Sequence, residues 1–223
     1  MRKFVAVLLV MVVGPAFGDI IFTEIMYDPS LGEPGWEWVE VWNNGPDINL
    51  NGWFFDDLAG GGGSPALIIS SDFIWSSNSY LILAHNTQTL SDFNTEWNTS
   101  LDSAHFIALE ETWPALNNND GDWVRMLDAN SNEVAAVEYT ESSPWPSGGA
   151  SEASYSFNLD PRTATPEQNT NGANWSVSAS GVNDSWQSAA GDWGSPGVVI
   201  PEPGTIALLV LGSGLVAIAR RRR

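Results

Sequence analysis

The sequence predicts an all-β protein in which two sheets pack as a sandwich. Runs rich in Ile, Val, Phe, Trp and Tyr alternate with short stretches of Gly, Pro, Asn, Asp and Ser, a pattern typical of short strands joined by turns. Between residues 19 and 197 no stretch combines a convincing helical period with capping residues, so we expect no helix there. About nine short strands with frequent turns favour two packed sheets.

The predicted strands follow one another at short intervals. In chain order they are Ile20–Tyr27, Trp36–Trp42, Ile48–Asp56, Leu67–Ile69, Tyr80–Ala84, His105–Leu109, Trp123–Asp128, Val134–Tyr139 and Ser154–Asn158. Residues 60–65 are glycine-rich and predict a flexible loop, and residues 117–122 and 128–132 predict turns because Asn, Asp and Gly favour turn geometry.

The N-terminal residues predict a secretion signal. Two basic residues precede an apolar run, Phe4–Val13, and Gly14-Pro15 then interrupts helical structure. Small residues at positions 16 and 18 match what signal peptidase reads, so we expect cleavage between Gly18 and Asp19. Residues 1–18 are therefore predicted to be a signal peptide that forms a helix.

The C-terminal residues form a second signal in three parts. The parts are Pro201-Glu202-Pro203, the uncharged run Gly204–Ala219, and the basic cluster Arg220, Arg221, Arg222 and Arg223. The prolines keep the chain extended and open to an enzyme. The run would be about 24 Å long as a helix, short of a comfortable membrane span. The arginines are expected to stop transfer and to stay cytoplasmic, which leaves the folded part outside.

This three-part tail resembles the PEP-CTERM sorting signal of Gram-negative bacteria that produce exopolysaccharide. The resemblance rests on Ile200-Pro201-Glu202-Pro203-Gly204-Thr205, the Leu/Gly-rich run and the four arginines. It implies that residues 198–223 are a sorting signal whose run Gly204–Ala219 forms a short transmembrane helix that stays in the inner membrane transiently. It also implies that exosortase, a membrane cysteine protease, processes the tail near Pro201–Pro203. A permanent single-pass anchor is the alternative.

Composition excludes some partners. Six of the eight basic residues lie in the two terminal signals, which leaves Arg125 and Arg162 against 27 acidic residues. Nucleic acid is excluded because nothing would neutralise its phosphates, and an anionic membrane surface is not an expected partner of the acidic body. The chain has no cysteine, so stability outside the cell must come from packing rather than disulfides.

Several motifs occur in one order along the chain. They are Ile21-Phe22-Thr23-Glu24-Ile25, Trp38-Val39-Glu40-Val41-Trp42-Asn43, Leu50-Asn51-Gly52-Trp53-Phe54-Phe55-Asp56, Gly121-Asp122-Trp123-Val124-Arg125-Met126-Leu127-Asp128, Asn174-Trp175-Ser176 and Gly194-Ser195-Pro196-Gly197. Together they resemble the lamin-tail domain family. The resemblance covers about residues 20–197 and implies an immunoglobulin-like β-sandwich over 19–197, flanked by the signal helix and the transmembrane helix.

The sequence departs from the family pattern in two respects. Residues 86–104 and 141–152 look like insertions that decorate the core domain. The family carries an arginine on the strand that corresponds to residues 154–158, whereas this chain has Ser154-Tyr155-Ser156-Phe157-Asn158 there. Any role that depends on that arginine is therefore in doubt.

Two glutamates in apolar strands require an explanation. Glu24 and Glu40 each lie among apolar neighbours, and a buried glutamate needs partners. Backbone N–H groups and hydroxyls are the expected structural partners, and Arg125 is the cation that we nominate as a nearby partner. A structural role or an outward-facing side chain is favoured over a ligand or metal role.

Catalytic and metal chemistry find little support. His85 and His105 match no zinc spacing, no Gly-x-Ser-x-Gly sequence is present, and we predict no catalytic residue. Asn118-x-Asp120-Gly121 is similar to part of a calcium loop, but Leu116 would occupy its first ligand position and no glutamate its twelfth. A hairpin turn is favoured there, no cofactor is predicted, and Ca²⁺ in the acidic loops is left open.

These observations predict an exported, non-enzymatic protein of the cell surface or extracellular matrix. Its partners would be signal peptidase, exosortase and components such as exopolysaccharide, and the sandwich would be a structural or adhesive module. An alternative uses the unusual number of tryptophans, twelve in all. Two or three exposed indoles in one groove would form a platform on which sugars stack, making the domain a glycan-binding module.

Overall fold

The computed structural model describes residues 20–57, 65–118, 121–146, 154–160 and 164–198. The described strands are β1 (Ile20–Met26), β2 (Trp38–Asn43), β3 (Ile48–Asn49), β4 (Phe54–Asp56), β5 (Ala66–Leu67), β6 (Ile74–Trp75), β7 (Ser79–Ala84), β8 (Phe106–Ala108), β9 (Asp122–Leu127), β10 (Glu133–Tyr139), β11 (Phe157–Leu159), β12 (Trp175–Val177), β13 (Trp186–Gln187) and β14 (Trp193–Gly194). Two α-helices accompany them, α1 (Leu90–Trp97) and α2 (Pro166–Asn169), with a 3₁₀ turn at Gly172–Asn174.

Two sheets form the body of the protein. The larger has six strands in the order β12-β11-β1-β2-β7-β8, and the smaller has four in the order β10-β9-β4-β5. Neighbouring strands are antiparallel except for β7 and β8, which are parallel. Two short ladders, β3 with β6 and β13 with β14, complete the arrangement. The all-β prediction with two main sheets is therefore confirmed.

The predicted strands that correspond to β1, β2, β7, β8, β9 and β10 are confirmed with small shifts at their ends, as expected for boundaries. The prediction of one strand over Ile48–Asp56 is wrong, because the chain turns between β3 and β4. Gly52 has a positive φ of 77°, and the Trp53 N–H donates to the Leu50 carbonyl at 3.0 Å. The strand predicted over Ser154–Asn158 begins later, at Phe157. The loop predicted at residues 60–65 lies outside the described residues except for Pro65.

The prediction that the central region has no helix is wrong. Helix α1 begins after Thr89, whose side chain accepts a hydrogen bond from the Asp92 N–H, and ends at Asn98 in the left-handed region. Phe93 and Trp97, four residues apart, are its buried positions. The segment 86–104 is thus not mere decoration, since it supplies a helix whose apolar side chains join the core.

The six-stranded sheet is buried on both faces. One face packs against the four-stranded sheet in a large cluster that includes Val39, Phe55, Val124 and Phe157. On the other face, α1 covers a second cluster formed by Met26, Trp38, Ile82, Ala84, Phe93, Trp97 and Phe106. Every residue of β1 and β2 is consequently buried, which explains why these strands read as nearly continuous apolar runs.

The predicted terminal signals lie outside the described residues. The signal peptide over 1–18, its cleavage point before Asp19, and the sorting segment from residue 199 onward are not described. Among the residues that are described, no helix is long and apolar enough to cross a membrane.

Candidate functional site

The most unusual feature of the described fold is a pair of buried glutamates at its centre. Glu24 on β1 and Glu40 on β2 are cross-strand partners in the antiparallel register. Their exposed fractions are 1% and 2%. Alternation along each strand places them on the face that α1 covers, together with Met26 and Trp38. Two carboxyl groups therefore lie side by side in a region from which water is excluded.

Glu24 is held by hydroxyl and backbone donors. Its Oε1 accepts hydrogen bonds from the Ser195 N–H at 2.8 Å and from the Ser156 hydroxyl, and its Oε2 accepts from the Ser195 hydroxyl at 2.9 Å. Ser156 lies next to β11, whereas Ser195 follows β14. One carboxyl group thus joins three distant parts of the chain.

Glu40 repeats the arrangement one strand away. Its Oε1 accepts from the Thr23 hydroxyl at 2.7 Å, and its Oε2 accepts from the Gly197 N–H at 2.7 Å. The two glutamates together bind the backbone of the closing segment, defined as Gly194–Gly197, to the middle of the sheet. The Gly-Ser-Pro-Gly sequence at 194–197 thus supplies backbone donors to the glutamates of β1 and β2.

The closing segment also packs tightly against α1. A Cβ placed on Gly194 would lie 2.8 Å from the Trp97 ring and 2.9 Å from Glu24 Oε1, so only glycine fits. Two further contacts fix the helix to the C-terminal strands: the Trp186 Nε1–H donates to the Trp97 carbonyl at 2.7 Å, and the Ala189 N–H donates to the Glu96 carbonyl at 2.7 Å.

Arg125 is not the partner of these glutamates. Its guanidinium pairs with the buried Asp56 and contacts Glu133 at 3.4 Å. The expectation that backbone N–H groups and hydroxyls satisfy Glu24 and Glu40 is correct, and the nomination of Arg125 is wrong. Ser156, next to β11, supplies a neutral donor to Glu24.

Burial shifts the titration of both glutamates, whose described hydrogen-bond partners are hydroxyls and backbone N–H groups. Burial raises the pKa of Glu24 to about 7. Burial, together with the nearby charge of Glu24, raises the pKa of Glu40 to about 8. Their neighbouring hydroxyls and N–H groups oppose these shifts by favouring the carboxylate. The protonated form is therefore favoured well above the usual range of a glutamate.

A third buried glutamate, Glu37, escaped the sequence reasoning. Its Oε2 accepts hydrogen bonds from the Trp113 Nε1–H at 2.8 Å and the Leu116 N–H at 2.9 Å, and its exposed fraction is 0%. Burial raises its pKa to about 8. Its position between Trp36 and Trp38 is the signal that could have revealed it, since tryptophans on both sides favour burial.

The histidines are held in local contacts. His85 Nδ1 lies 2.8 Å from the Thr87 hydroxyl, and burial lowers its pKa. His105 Nδ1 lies 2.7 Å from Asp102, and its ring stacks on Tyr80 with a centroid distance of 4.6 Å. Within the described ranges, no group of three or more His, Asp or Glu side chains is placed to hold a metal ion.

The segment compared with a calcium loop is described only in part, because Asp120 lies outside the described residues. Asp122 accepts hydrogen bonds from the backbone N–H groups of Asn117 at 3.0 Å and of Trp123 at 2.8 Å. Gly121 has a φ of 83°. These features are those of a turn that opens β9.

The tryptophans do not form an exposed platform. All twelve are described, and eight are buried: Trp38, Trp42, Trp53, Trp75, Trp97, Trp113, Trp145 and Trp175. The remaining four, Trp36, Trp123, Trp186 and Trp193, are half-buried, and none is exposed. The expectation of two or three exposed indoles in one groove is therefore not met. The tryptophans pack instead, as in the edge-to-face pair of Trp38 and Trp97, whose centroids are 5.4 Å apart.

The sandwich, its buried glutamates and its closing segment define an immunoglobulin-like domain of the lamin-tail type. A family model for the Lamin Tail Domain matches residues 14–141, more than half of the 223 residues. The chain belongs to the lamin tail domain family. A second model, for the PEP-CTERM protein-sorting motif, matches residues 199–223. No match was found among curated proteins.

The second match indicates a protein exported to the cell envelope or surface and sorted by exosortase. The first match ends at residue 141, yet the described sheet does not end there. Strand β11 pairs with β1, and the closing segment binds Glu24 and Glu40. Residues beyond the matched range are therefore integral to the same sandwich.

Proposed function

We propose that this chain is a non-enzymatic protein of the cell surface or extracellular matrix, whose lamin tail domain is a structural or adhesive module. In this proposal signal peptidase removes residues 1–18, the tail pauses in the inner membrane, and exosortase cleaves near Pro201–Pro203. The observation that carries the proposal is the short distance in sequence between the last hydrogen-bonded residues of the sandwich and the sorting motif. The closing segment is fastened to β1 and β2 immediately before the matched motif begins.

That join suits a protein that is delivered as a folded body. The last anchored residue, Gly197, is four positions before Pro201, so the sorting motif follows the fold without a long spacer. The fold retains its closing contacts after cleavage on the C-terminal side of residue 198, because the donors to Glu24 and Glu40 stay on the released part. Processing would change the attachment of the domain and leave its interior intact.

The buried carboxyl groups support a structural task rather than a chemical one. Glu24 and Glu40 accept hydrogen bonds from hydroxyls and backbone N–H groups within the fold. Both side chains are buried beneath α1 and the closing segment. A general acid or a nucleophile must reach its substrate, and groups placed in this way are better suited to joining strands. Exopolysaccharide is the matrix component that we propose as a partner.

The test is intact-mass and C-terminal peptide analysis of the protein from its native host, recovered separately from membrane and supernatant. We expect a chain that begins at Asp19 and ends near Pro203 in the supernatant. A matched variant, Pro201→Ala with Pro203→Ala, should accumulate uncleaved in the membrane fraction. If the wild-type protein still ends at Arg223 and stays in the membrane, the tail is a permanent anchor and the cleavage proposal fails.

A further inference from the structure

A groove opens beside the point where the described chain ends. It has a volume of about 450 Å³ and is lined by residues that include Tyr80, Asn98, Ser100, Leu101, Trp186 and Gly197. These residues come from the start of β7, the loop after α1, strand β13 and the closing segment. The groove therefore lies where the elements that hold the C-terminal part of the fold meet.

The described part of the chain ends at the edge of this groove. The Gly197 N–H donates a hydrogen bond to Glu40, and the Val198 N–H donates to the Ser195 carbonyl at 3.1 Å. A Cβ on Gly197 would lie 3.3 Å from the Tyr80 hydroxyl oxygen. Gly197, the second-to-last described residue, is thus fixed next to Tyr80 by a hydrogen bond to the centre of the sheet.

Little chain separates this exit from the apolar run. Residues 199–203 lie between Val198 and Gly204, and the six Cα–Cα steps from Val198 to Gly204 reach at most about 22 Å when extended. The polar headgroup region on each side of a bilayer is roughly 5–8 Å thick. When the tail is inserted, the end of the domain that bears the groove must therefore be close to the lipid surface.

The chemistry of the groove agrees with that position. None of the residues that line it carries a charge, although the chain has 27 acidic residues against eight basic ones. Tyr80 and Trp186 are half-buried, and such rings with one polar end are favoured at the boundary between lipid and water. The acidic residue Asp102 is next in sequence to Leu101 but does not line the groove. Its carboxylate is hydrogen-bonded to His105, whose ring stacks on Tyr80.

We infer that the face around this groove is the membrane-facing surface of the unprocessed protein and that it rests on lipid headgroups while the tail is inserted. The inference rests on the proposed insertion of the tail and adds the orientation of the domain. The acidic remainder of the domain points away from the bilayer, because an anionic surface repels it.

The absence of cysteine from the chain allows a direct test with single-cysteine variants. Ser100→Cys places a fluorophore at the groove, on an exposed residue. The control is Ser142→Cys, also exposed, near the far end of β1. There the ring of Tyr139 packs on Tyr27 with centroids 5.4 Å apart, and the Tyr27 hydroxyl donates to Glu141 at 3.3 Å.

The full chain with its tail is produced without exosortase and placed in phosphatidylcholine nanodiscs whose headgroups carry a quencher. We expect quenching at position 100 to be several-fold stronger than at position 142. A flexible insertion of about ten Gly/Ser residues after Val198 should reduce this difference. Equal quenching at both positions in inserted protein, or stronger quenching at position 142, overturns the inferred orientation alone.

Other outcomes separate the remaining sources of failure. If the chain does not enter the bilayer, the proposed membrane step fails and the orientation fails with it. A third outcome combines two measurements: the fluorophore at position 100 is not quenched in nanodiscs, and in cells the cysteine at position 100 is protected from a maleimide only when exosortase is present. In that case the enzyme covers this face, and the assignment to lipid is wrong. Protection at position 100 in cells that lack exosortase supports contact with the membrane.

Discussion

Gly197 donates its backbone N–H to Glu40, a residue 157 positions earlier in the chain, at 2.7 Å. This contact ties the last few described residues to the second strand of the central sheet. A second hydrogen bond, from the Ser195 N–H to Glu24, spans 171 positions. The sandwich is therefore closed by residues that directly precede the sorting motif.

Removal of the Glu40 carboxyl group should loosen this closure. In Glu40→Ala, the Gly197 N–H loses its acceptor and the Thr23 hydroxyl keeps only its longer contact of 3.3 Å with the Glu40 carbonyl. A buried donor left without an acceptor costs roughly 1–3 kcal/mol. We expect a loss of several kcal/mol in the free energy of unfolding, measured by urea denaturation. Glu40→Gln keeps one acceptor oxygen and should lose much less. Equal stability of the alanine variant and wild type would show that the closing segment is held by other contacts.

The stability of the protein should fall as pH rises from about 4.5 to 8. The pKa values of Glu24, Glu37 and Glu40 are raised to about 7, 8 and 8, mainly by burial. A carboxyl group whose pKa is higher in the folded state favours folding most when protonated. Its contribution is complete below the unfolded pKa and is lost as pH rises through the folded pKa. The loss is about 1.4 kcal/mol for each pH unit that separates the folded and unfolded pKa values.

The measurement is the urea midpoint between about pH 4.5 and 8.5 for the wild type and for Glu24→Gln, Glu37→Gln and Glu40→Gln. Each substitution should flatten the dependence, because the amide does not titrate. Below about pH 4 the trend should reverse, since hydrogen bonds lower the pKa values of Asp72 and Asp128 and protonation then removes their stabilisation. A wild-type midpoint that rises over the neutral range would contradict the assignment.

A single methyl group at Gly194 should be poorly tolerated. The added Cβ would lie 2.8 Å from the Trp97 ring and 2.9 Å from Glu24 Oε1, so Gly194→Ala should cost about 1–3 kcal/mol through overpacking. Thermal denaturation of the variant measures this cost. Gly35→Ala is the matched control, because its Cβ would meet nothing closer than 3.8 Å. Similar losses in both variants would contradict a specific steric effect.

The N-terminus of α1 should respond to its capping residue. The Thr89 hydroxyl accepts from the Asp92 N–H at 3.1 Å and donates to the Asp92 carboxylate at 2.7 Å. Thr89→Ala should reduce the free energy of unfolding by roughly 0.5–2 kcal/mol. Thr89→Ser, which keeps the hydroxyl, should stay close to the wild type. An alanine variant as stable as the serine variant would indicate that packing of Phe93 and Trp97 alone determines this helix.

Sequence reasoning reached the glutamates but not their partners. Glu24 and Glu40 stand out because each is surrounded by apolar residues, which indicates burial and a need for donors. The donors on Ser195 and Gly197 lie 171 and 157 positions away, and no local pattern specifies such contacts.

Helix α1 is not predicted from the sequence for a related reason. It has only two buried side chains in eight residues, too few for a clear helical period, and it forms because the sheet offers a second apolar face.

The central position of β1 has a consequence for the timing of export. Strand β1 emerges first, yet its neighbour β11 and the closing segment are among the last described parts to be made. Contacts between residues so far apart form slowly. In the proposed route of export, the sheet is completed only after residue 197 has crossed, just before the apolar run reaches the membrane. Under that proposal the chain stays open during translocation and acquires its full fold at the moment when its tail halts.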